Sequence, residues 1–511
     1  MVNYPSLLKF PDRAFWLRAT FTLAVLLALL NALEGTVADP DLWGYLAFGR
    51  LFWETPVFPY HDVFSYVPTI DPWVYHEWLT GVIFYPLYRA LGGTGLQFLK
   101  YGLALATLGF IYLAARTRGA DPVSAALGLW LAQFFLAIGY SPVRAQVFTY
   151  LFFAVSLYLL EKARLSGRWR GLGIIVLIMI PWSNLHGGFV AGLGLMGLYA
   201  GGEALSRRPF WPYLTALALA GLATLINPYG LEYWTYLLRA ISMARPEIGE
   251  WASVFQAFRS GQSLELLVHF FLLVIFSFFL MAWARWREIT PGLVLGLTLY
   301  LGLKHQRHLI FFYLSLAAYL PVLIRAYAEE LKSRPGLLAR VRRLCWALPL
   351  VLALLAGING YRLLSRGPLS FRIPAYPTTV DSSRAIYYPV AAINFIQKNR
   401  LSGSLLTEFR WGEYLLWVLY PQCRVALDGR YETVYPDEVS QEYWDFIQGR
   451  SNWRQFLEQY PPDLILIKPS AKVFPLLAQE GHWRQIYADN GSVLFKRQDK
   501  VAVDRPSAQE D

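Results

Sequence analysis

Asp39 and Asp41 form an Asp-x-Asp pair whose residue type and spacing suggest chemistry, in a polar segment after the first apolar run. Such a pair can take a proton from an acceptor hydroxyl, with Asp41 as the base and Asp39 in support. It can also hold Mg²⁺ or Mn²⁺ through hard oxygen ligands. One of the two can instead cap a helix over residues 42–53, and these alternatives stay open at this point.

Basic side chains in later polar segments suit a phosphate. Arg144, Lys304 and Arg307 carry the positive charge, and His308 adds a further donor. A guanidinium binds phosphate in a bidentate manner, and a sugar phosphate that leaves as phosphate needs positive charge on its oxygens in the transition state. The same side chains are also suited to contact lipid headgroups.

Further polar side chains in these segments are candidates for binding substrate. They are His76, Glu77, Gln146, Asn184, His186 and Glu250. We expect His76 and Glu77 to lie near the donor or acceptor sugar, and His186 to add proton transfer or a donor. His76 and Glu77 are equally well explained as the solvated polar residues of an interfacial helix. Asn184 and His186 are equally well explained as residues at a helix break.

Long apolar runs must position these residues. The chain has 511 residues, of which 56% are hydrophobic and 16% charged, and its mean hydropathy is +0.35. Soluble domains carry about 25% charged residues, so a soluble or disordered protein is excluded. Because a bilayer needs about 20 apolar residues per helix, the sequence predicts eleven spans. They are 15–33, 97–115, 122–140, 146–160, 171–185, 187–202, 210–226, 266–284, 289–303, 309–324 and 345–361.

The positive charge indicates the orientation. With the N-terminus in the cytoplasm, the inner segments hold 18 Lys and Arg against 7 Asp and Glu, a difference equal to the whole net charge of +11. Lys and Arg concentrate in cytoplasmic loops of membrane proteins, so this charge argues against nucleic acid as a partner. We therefore predict a multi-pass protein of the inner (plasma) membrane, with a long outer loop at 34–95 that contains an interfacial or re-entrant helix at 77–91.

The last part of the chain has a different composition. Residues 364–511 contain 17 Lys and Arg and 17 Asp and Glu, with short apolar runs at 404–408, 424–428, 463–467 and 492–496 that predict strands. Helical patterns cover 389–399 and 438–448. We predict an α-helical polytopic membrane domain at 1–363 and a small soluble α/β domain at 364–511 on the outer face.

Several segments resemble the GT-C clan of integral membrane glycosyltransferases. This clan includes protein O-mannosyltransferases, aminoarabinose lipid A transferases and oligosaccharyltransferase catalytic subunits. The segments are similar to an uncharacterised bacterial branch of it: DPDLWGYLAFGRLFWE, DVFSY, WVYHEWL, RAQVFTYLFF, WSNLHGGF, INPYG, GEW, FRWGEYLLW and VALDGRYETVY. Their order and their shared position in outer segments carry the likeness over nearly the whole chain.

The resemblance implies an inverting hexosyl or pentosyl transferase (EC 2.4) of the cell envelope. The donor would be a sugar linked to polyprenyl phosphate or diphosphate, a lipid carrier that lies in the membrane. The acceptor would be a hydroxyl group of a lipid, glycan or protein. Asp41 or Asp39 matches the clan's first-loop acid, and Arg144 a polar second-loop position. Leu42 stands where mannosyltransferases have Glu, so their paired-acid roles need not transfer. A WWDYG-like signature is missing, which argues against asparagine-linked transfer.

Two other functions compete with transfer. A transporter or flippase for lipid-linked sugars also needs charges in the membrane and contacts to phosphate, but transporters usually contain an internal repeat with broken helices near the midplane. The charged residues of this chain gather at one predicted surface instead, and no repeat is visible. A non-catalytic envelope-assembly component is the third alternative, and the intact outer-loop acids argue against it.

Overall fold

The computed structural model of the chain describes residues 13–33, 35, 37–55, 57–140, 143–243, 249–259, 264–333, 348–373 and 387–498. The helices are α1 (Arg13–Ala32), α2 (Pro40–Glu54), α3 (Trp78–Thr117), α4 (Pro122–Tyr140), α5 (Gln146–Ser166), α6 (Arg170–Leu185), α7 (Phe189–Leu205), α8 (Trp211–Ala223), α9 (Glu232–Ser242), α10 (Val254–Arg259), α11 (Leu264–Trp283), α12 (Ile289–Lys304), α13 (Leu309–Lys332), α14 (Leu348–Arg366), α15 (Val390–Lys398), α16 (Phe409–Leu419), α17 (Asp437–Ile447), α18 (Arg454–Gln459) and α19 (Phe474–Ala478).

Each of the eleven predicted spans coincides with a helix, namely α1, α3 to α8 and α11 to α14. Among the described residues, three stretches are long and apolar enough to cross a membrane by length and composition: Phe15–Ala32, Trp78–Thr117 and Gln306–Lys332. Shorter apolar helices include Arg170–Leu185, Phe189–Leu205, Trp211–Ala223, Leu267–Trp283 and Ile289–Lys304. The chain is therefore a mostly helical membrane protein, and eleven crossings with the N-terminus inside remain a prediction.

Helix α3 contains a kink. Its 40 residues are interrupted at Gly92, which has φ 59° and ψ −158°. Only glycine adopts a positive φ at little cost, so this residue allows the change of direction. The kink separates the segment predicted as an interfacial or re-entrant helix at 77–91 from the span predicted at 97–115.

The chain divides into two compact units. The first contains 1–36, 91–231 and 241–370, and the second contains 37–90, 232–240 and 371–511. The long outer loop predicted at 34–95 therefore falls largely in the same unit as the C-terminal α/β region. The predicted boundary between 1–363 and 364–511 stays a prediction.

Ion pairs join four helical segments of the first unit near the last turn of α5. Arg118 pairs with Glu161 at 2.7 Å and with Glu288 at 2.6 Å, and Arg164 pairs with the same two carboxylates at 3.0 and 2.7 Å. The Tyr199 hydroxyl also donates to Glu161 at 2.5 Å. Two cations face two carboxylates, so the charges of these four side chains cancel.

The second unit is built around a five-stranded mixed sheet. Its strands are β1 (Gly403–Thr407), β2 (Cys423–Val425), β3 (Leu464–Ile467), β4 (Trp483–Ala488) and β5 (Val493–Arg497), in the order β2-β1-β3-β5-β4. β1 is parallel to β2 and β3, whereas β5 is antiparallel to β3 and β4. Four strands and the helices α15 and α17 lie where the sequence predicts them, while β4 and α16 were not predicted.

A segment of the predicted first loop extends this sheet. The Val425 N–H donates to the Phe64 carbonyl at 2.9 Å, and the Tyr66 N–H donates to the Val425 carbonyl at 3.1 Å. Ser65 thereby forms a parallel bridge with Val425 at the outer edge of β2. Residues far apart in sequence are thus held in one unit by hydrogen bonds between main-chain atoms.

Candidate active site

Asp39 acts as the N-cap of α2. Its backbone is extended (φ −80°, ψ 147°), its Oδ1 accepts the Asp41 N–H at 3.1 Å, and Pro40 occupies the first helical position. The carboxylate is 3% exposed. Asp39 therefore has the capping role that competed with catalysis in the sequence, and it fixes Asp41 in the first turn, where the helix dipole favours negative charge.

A second carboxyl group, that of Glu413, reaches the same helix. Glu413 lies on α16 and is 3% exposed, and its Oε2 accepts the Gly44 N–H of α2 at 3.0 Å. A Cβ at Gly44 would lie 2.6 Å from this oxygen, so the contact requires glycine. Sequence reasoning missed Glu413 as a site residue, although the FRWGEYLLW motif that contains it had been singled out.

Gly429 lies between the carboxyl groups of Glu413 and Asp41. A Cβ added there would be 2.7 Å from Glu413 Oε1 and 3.4 Å from Asp41 Oδ1. Burial, and then the charges of Asp41 and Asp428, raise the pKa of Glu413 well above its usual range. Glu413 therefore keeps its proton to a higher pH than an exposed glutamate, beside a half-buried Asp41.

Arg430 holds the segment that contains Gly429. Its guanidinium binds Asp428 in a bidentate manner, at 2.9 Å from Nε to Oδ1 and 2.7 Å from Nη2 to Oδ2, and its Nη1 pairs with Asp62. The Tyr435 hydroxyl donates to Asp428 Oδ2 at 2.7 Å. The side chains of these four residues are buried. Together they form a clamp around Arg430, which sets the position of the neighbouring Gly429.

His76 and Glu77 belong to the same unit as this acidic group. A 3.0 Å hydrogen bond joins His76 Nδ1 to the Tyr236 hydroxyl, the two rings stack with centroids 5.3 Å apart, and His76 Nε2 lies 3.6 Å from Glu77 Oε1. Burial first, and then Glu77, raise the pKa of Tyr45 and of Tyr75 well above the usual range.

Asp41 and Glu413 also raise the pKa of both tyrosines. The structure therefore brings Asp41, Glu77 and Glu413 within electrostatic reach of the same two buried phenols. The candidate base thus has acidic neighbours in space that are distant from it in sequence.

The described residues contain no group of three or more His, Cys, Asp or Glu side chains arranged to hold a metal ion. The side chains of the described segments thus do not form a protein-only cage for Mg²⁺ or Mn²⁺.

In the first unit, His186 and Asn184 end helix α6. The Gly188 N–H donates to His186 Nδ1 at 2.8 Å, and Thr149 Oγ1 lies 2.9 Å from the same nitrogen. Nδ1 is therefore an acceptor, which leaves the ring proton on Nε2. The Asn184 amide donates to the carbonyls of Ile180 and Ile226 at 2.7 and 2.9 Å, so the helix-break explanation fits both residues.

An aromatic and cationic cluster connects α12 to α13. The Arg307 guanidinium stacks on the Trp251 ring at 4.6 Å, and His305 Nδ1 lies 2.6 Å from the Trp251 carbonyl. The His308 ring packs edge-on against Trp251 at 6.1 Å. Stacking leaves the N–H groups at the edge of a guanidinium available for an anion. Lys304 is the last residue of α12, and the side chain of Glu250 lies outside the described residues.

The beginnings of α5 and α13 lie at the same end of the first unit. Tyr150 near the start of α5 contacts Phe311 in the first turn of α13, with ring centroids 6.0 Å apart. Arg144 lies two residues before the start of α5 and Arg307 two residues before the start of α13, so both cations lie at this end, opposite the ion-pair network.

Some buried polar atoms at this end have no hydrogen-bond partner among the described residues, and two of them belong to residues that the sequence predicted to bind substrate or phosphate. These two atoms are Gln146 Oε1 and His308 Nδ1. Buried polar groups are rarely left unsatisfied, so we expect water or a polar ligand to bind these atoms. The sequence-predicted residues Arg144, Gln146, Asn184, His186, Lys304, Arg307 and His308 are thus brought to one end of this unit.

Solved structures of two glycosyltransferases share the fold of this chain. The apo oligosaccharyltransferase of Archaeoglobus fulgidus matches with a TM-score of 0.53 and 12% identity, over 96% of this chain and 75% of that one. ArnT from Cupriavidus metallidurans matches with a TM-score of 0.54 and 15% identity in the apo state, and with 0.51 and 14% bound to undecaprenyl phosphate. Both ArnT matches cover 95% of this chain and 98% of that one.

Both enzymes are GT-C glycosyltransferases, so the chain has the GT-C fold, as the resemblance implied. At sequence level, no protein-family model matches the chain and no curated protein does.

Proposed function

We propose that the protein is an inverting membrane glycosyltransferase of the EC 2.4 class. It moves a sugar from a polyprenyl-phosphate or polyprenyl-diphosphate donor to a hydroxyl of a lipid, glycan or protein at the outer membrane face. The observation that carries this proposal is the placement of Asp41 beside buried Glu413 at the start of α2, in a chain with the GT-C fold. The lipid bound to ArnT supports a lipid-linked donor.

Asp41 is the base in this proposal. It takes the proton of the acceptor hydroxyl while that oxygen bonds to the anomeric carbon, and the bond from this carbon to the donor phosphate oxygen breaks on the opposite face. The configuration inverts, and the lipid phosphate leaves with the electron pair. Glu413, whose pKa is raised, holds its own proton and therefore does not compete with Asp41 for the incoming one.

Arg144, Lys304, Arg307 and His308 bind the donor phosphate in this proposal. These residues lie at the same end of the first unit, and the stacked Arg307 has N–H donors at the edge of its guanidinium. Both features suit the negative charge that develops on the phosphate in the transition state. Gln146, Asn184, His186 and Glu250 line the donor path, and His76 and Glu77 hold a sugar hydroxyl. A divalent cation at Asp39 and Asp41 remains a prediction that chelation followed by Mg²⁺ or Mn²⁺ addition tests.

The test uses purified full-length protein, radiolabelled polyprenyl-phosphate sugars and a membrane extract as the source of acceptors. We expect label to become covalently attached to an acceptor, and Asp41→Asn to abolish this transfer. Asp437→Asn, which changes an exposed carboxylate in the same unit, is the matched control and should transfer normally. Full transfer by Asp41→Asn would exclude its role as base.

The same protein in sealed vesicles separates transfer from transport. Label that crosses the vesicle membrane without forming a new bond would favour a flippase. Neither transfer nor movement with any lipid-linked sugar would favour a non-catalytic assembly component.

A further inference from the structure

An open cavity of about 350 Å³ lies in the second unit, at the carboxyl ends of β1 and β3. Its polar lining consists of Glu408 after β1, Gln448 after α17, and Lys468, Ser470 and Lys472 after β3. The volume is within the range of small-molecule sites. None of these residues belongs to the proposed transfer machinery.

The topology of the sheet makes this position a preferred one for ligands. From β1 the chain crosses through α16 to β2 on one side, and it then returns through α17 and α18 to β3 on the other side of β1. The connections that leave β1 and β3 therefore diverge. In sheets with parallel strands, ligands bind in the crevice outside the carboxyl ends of the strands where the strand order reverses.

Backbone contacts hold the walls of the cavity. The Lys468 N–H donates to Glu408 Oε1 at 3.2 Å, which joins the segment after β1 to the segment after β3. Gly449 has φ 58°, and a Cβ there would be 3.1 Å from the Lys472 carbonyl oxygen, so the turn after α17 packs closely against the same segment. The segment after β3 is thus linked to both other walls through its own main-chain atoms, the Lys468 N–H and the Lys472 carbonyl.

The charges of the lining favour an anion. Two lysines face one carboxylate, and Glu408 Oε1 accepts the main-chain N–H of Lys468. The Lys468 ammonium lies 5.7 Å from the centre of the Trp411 ring. The carboxylate neutralises one of the two ammonium groups, and the remaining positive charge suits a ligand with a single negative charge. Gln448, Ser470 and Glu408 supply donors and acceptors for hydroxyl groups.

We propose that this cavity binds one anionic sugar unit, which carries a carboxylate or a phosphate, as part of the acceptor glycan or lipid. Lys468 and Lys472 contact the anionic group, and Gln448, Ser470 and Glu408 contact the ring hydroxyls. The role of this anionic sugar as part of the acceptor rests on the proposed function, whereas its binding in the cavity does not.

Binding is measured by saturation-transfer NMR and calorimetry on the full-length protein in detergent, without donor. The probes are glucuronate, glucose 6-phosphate and glucose. We expect at least one anionic sugar to bind about tenfold more tightly than glucose, with an affinity that falls as salt rises. Preference for glucuronate identifies a uronic acid as the source of the charge, and preference for glucose 6-phosphate identifies a phosphorylated sugar. Equal binding of all three sugars would overturn the proposal.

Variants locate the binding. Lys468→Gln with Lys472→Gln should weaken binding of the anionic sugar about tenfold. Lys398→Gln, at an exposed position on α15, should leave it unchanged. Unchanged binding by the double variant would overturn the assignment.

A third variant separates this proposal from the transfer proposal. Asp41→Asn should bind the sugar as the unmodified protein does, so a loss of transfer is distinguishable from a loss of this site. Loss of sugar binding in correctly folded Asp41→Asn would place the ligand at the transfer site and overturn the proposal.

Discussion

Glu413 accepts a hydrogen bond from the backbone N–H of Gly44, although 369 residues separate the two in the chain. The bond joins α16 of the C-terminal region to the second turn of α2, the helix that begins beside Asp41. The C-terminal region therefore contributes a buried carboxyl group to the environment of the proposed base.

Gly429→Ala should impair transfer strongly. The new Cβ would lie 2.7 Å from Glu413 Oε1 and 3.4 Å from Asp41 Oδ1, so one carboxyl group must move. Overpacking of this kind costs about 1–3 kcal/mol of stability, and small displacements in an active site cost more in rate. The initial rate of transfer and the unfolding temperature measure both effects. Gly481→Ala, where a Cβ meets open space, should change neither, and normal transfer by Gly429→Ala would argue against this geometry.

Glu413→Gln should change how stability depends on pH. Because the pKa of Glu413 is raised in the folded state, the folded protein retains this proton at pH values where the unfolded chain, with an ordinary pKa near 4.3, has lost it. The wild-type free energy of unfolding therefore decreases as pH rises above that value, whereas glutamine does not titrate. Thermal unfolding at about pH 5 and about pH 8 should show the variant gaining relative to wild type at the higher pH. Parallel pH curves would contradict the burial of an uncharged Glu413.

Arg430→Lys should destabilise the second unit. A lysine cannot reproduce the bidentate contact to Asp428 together with the contact to Asp62, and it would leave a buried carboxylate without its partner. Breaking a buried ion pair costs about 3–5 kcal/mol. Arg497→Lys is the matched control, because its pair with Asp463 is exposed and worth about 1 kcal/mol or less. Denaturant unfolding measures the loss of unfolding free energy in each variant. Equal losses in the two variants would contradict a buried ion-paired clamp around Arg430.

Arg307→Gln should weaken the use of the lipid-linked donor. A hydrogen bond to a charged group contributes about 1.5–3 kcal/mol, which corresponds to a loss of about 10- to 150-fold in kcat/KM. Initial rates over a range of donor concentrations measure this loss. Arg325→Gln, which removes an exposed arginine paired with Glu329, is the control and should transfer normally. A kcat/KM for Arg307→Gln equal to that of the control would exclude a phosphate contact.

The sequence determined the apolar helices that coincide with the predicted spans, because an apolar run that suits the bilayer thickness forms a helix whatever its neighbours are. It also located Arg144 and Arg307 in segments between such runs. Four strands were predictable as well, because each of them is a short apolar run in the sequence. Asp39 and Asp41 were visible as a pair, but the pattern alone did not decide between a helix cap and a ligand or base.

Only the tertiary structure decided that Asp39 caps α2, that Glu413 is buried beside Asp41, and that Arg430 pairs with both Asp428 and Asp62. A glutamate on a short helix in a charged domain is indistinguishable in sequence from a solvated one. Its burial depends on contacts made hundreds of residues away, and those contacts also set its pKa. Local patterns predict what a segment forms, whereas the arrangement of charges around a site depends on which distant segments share one core.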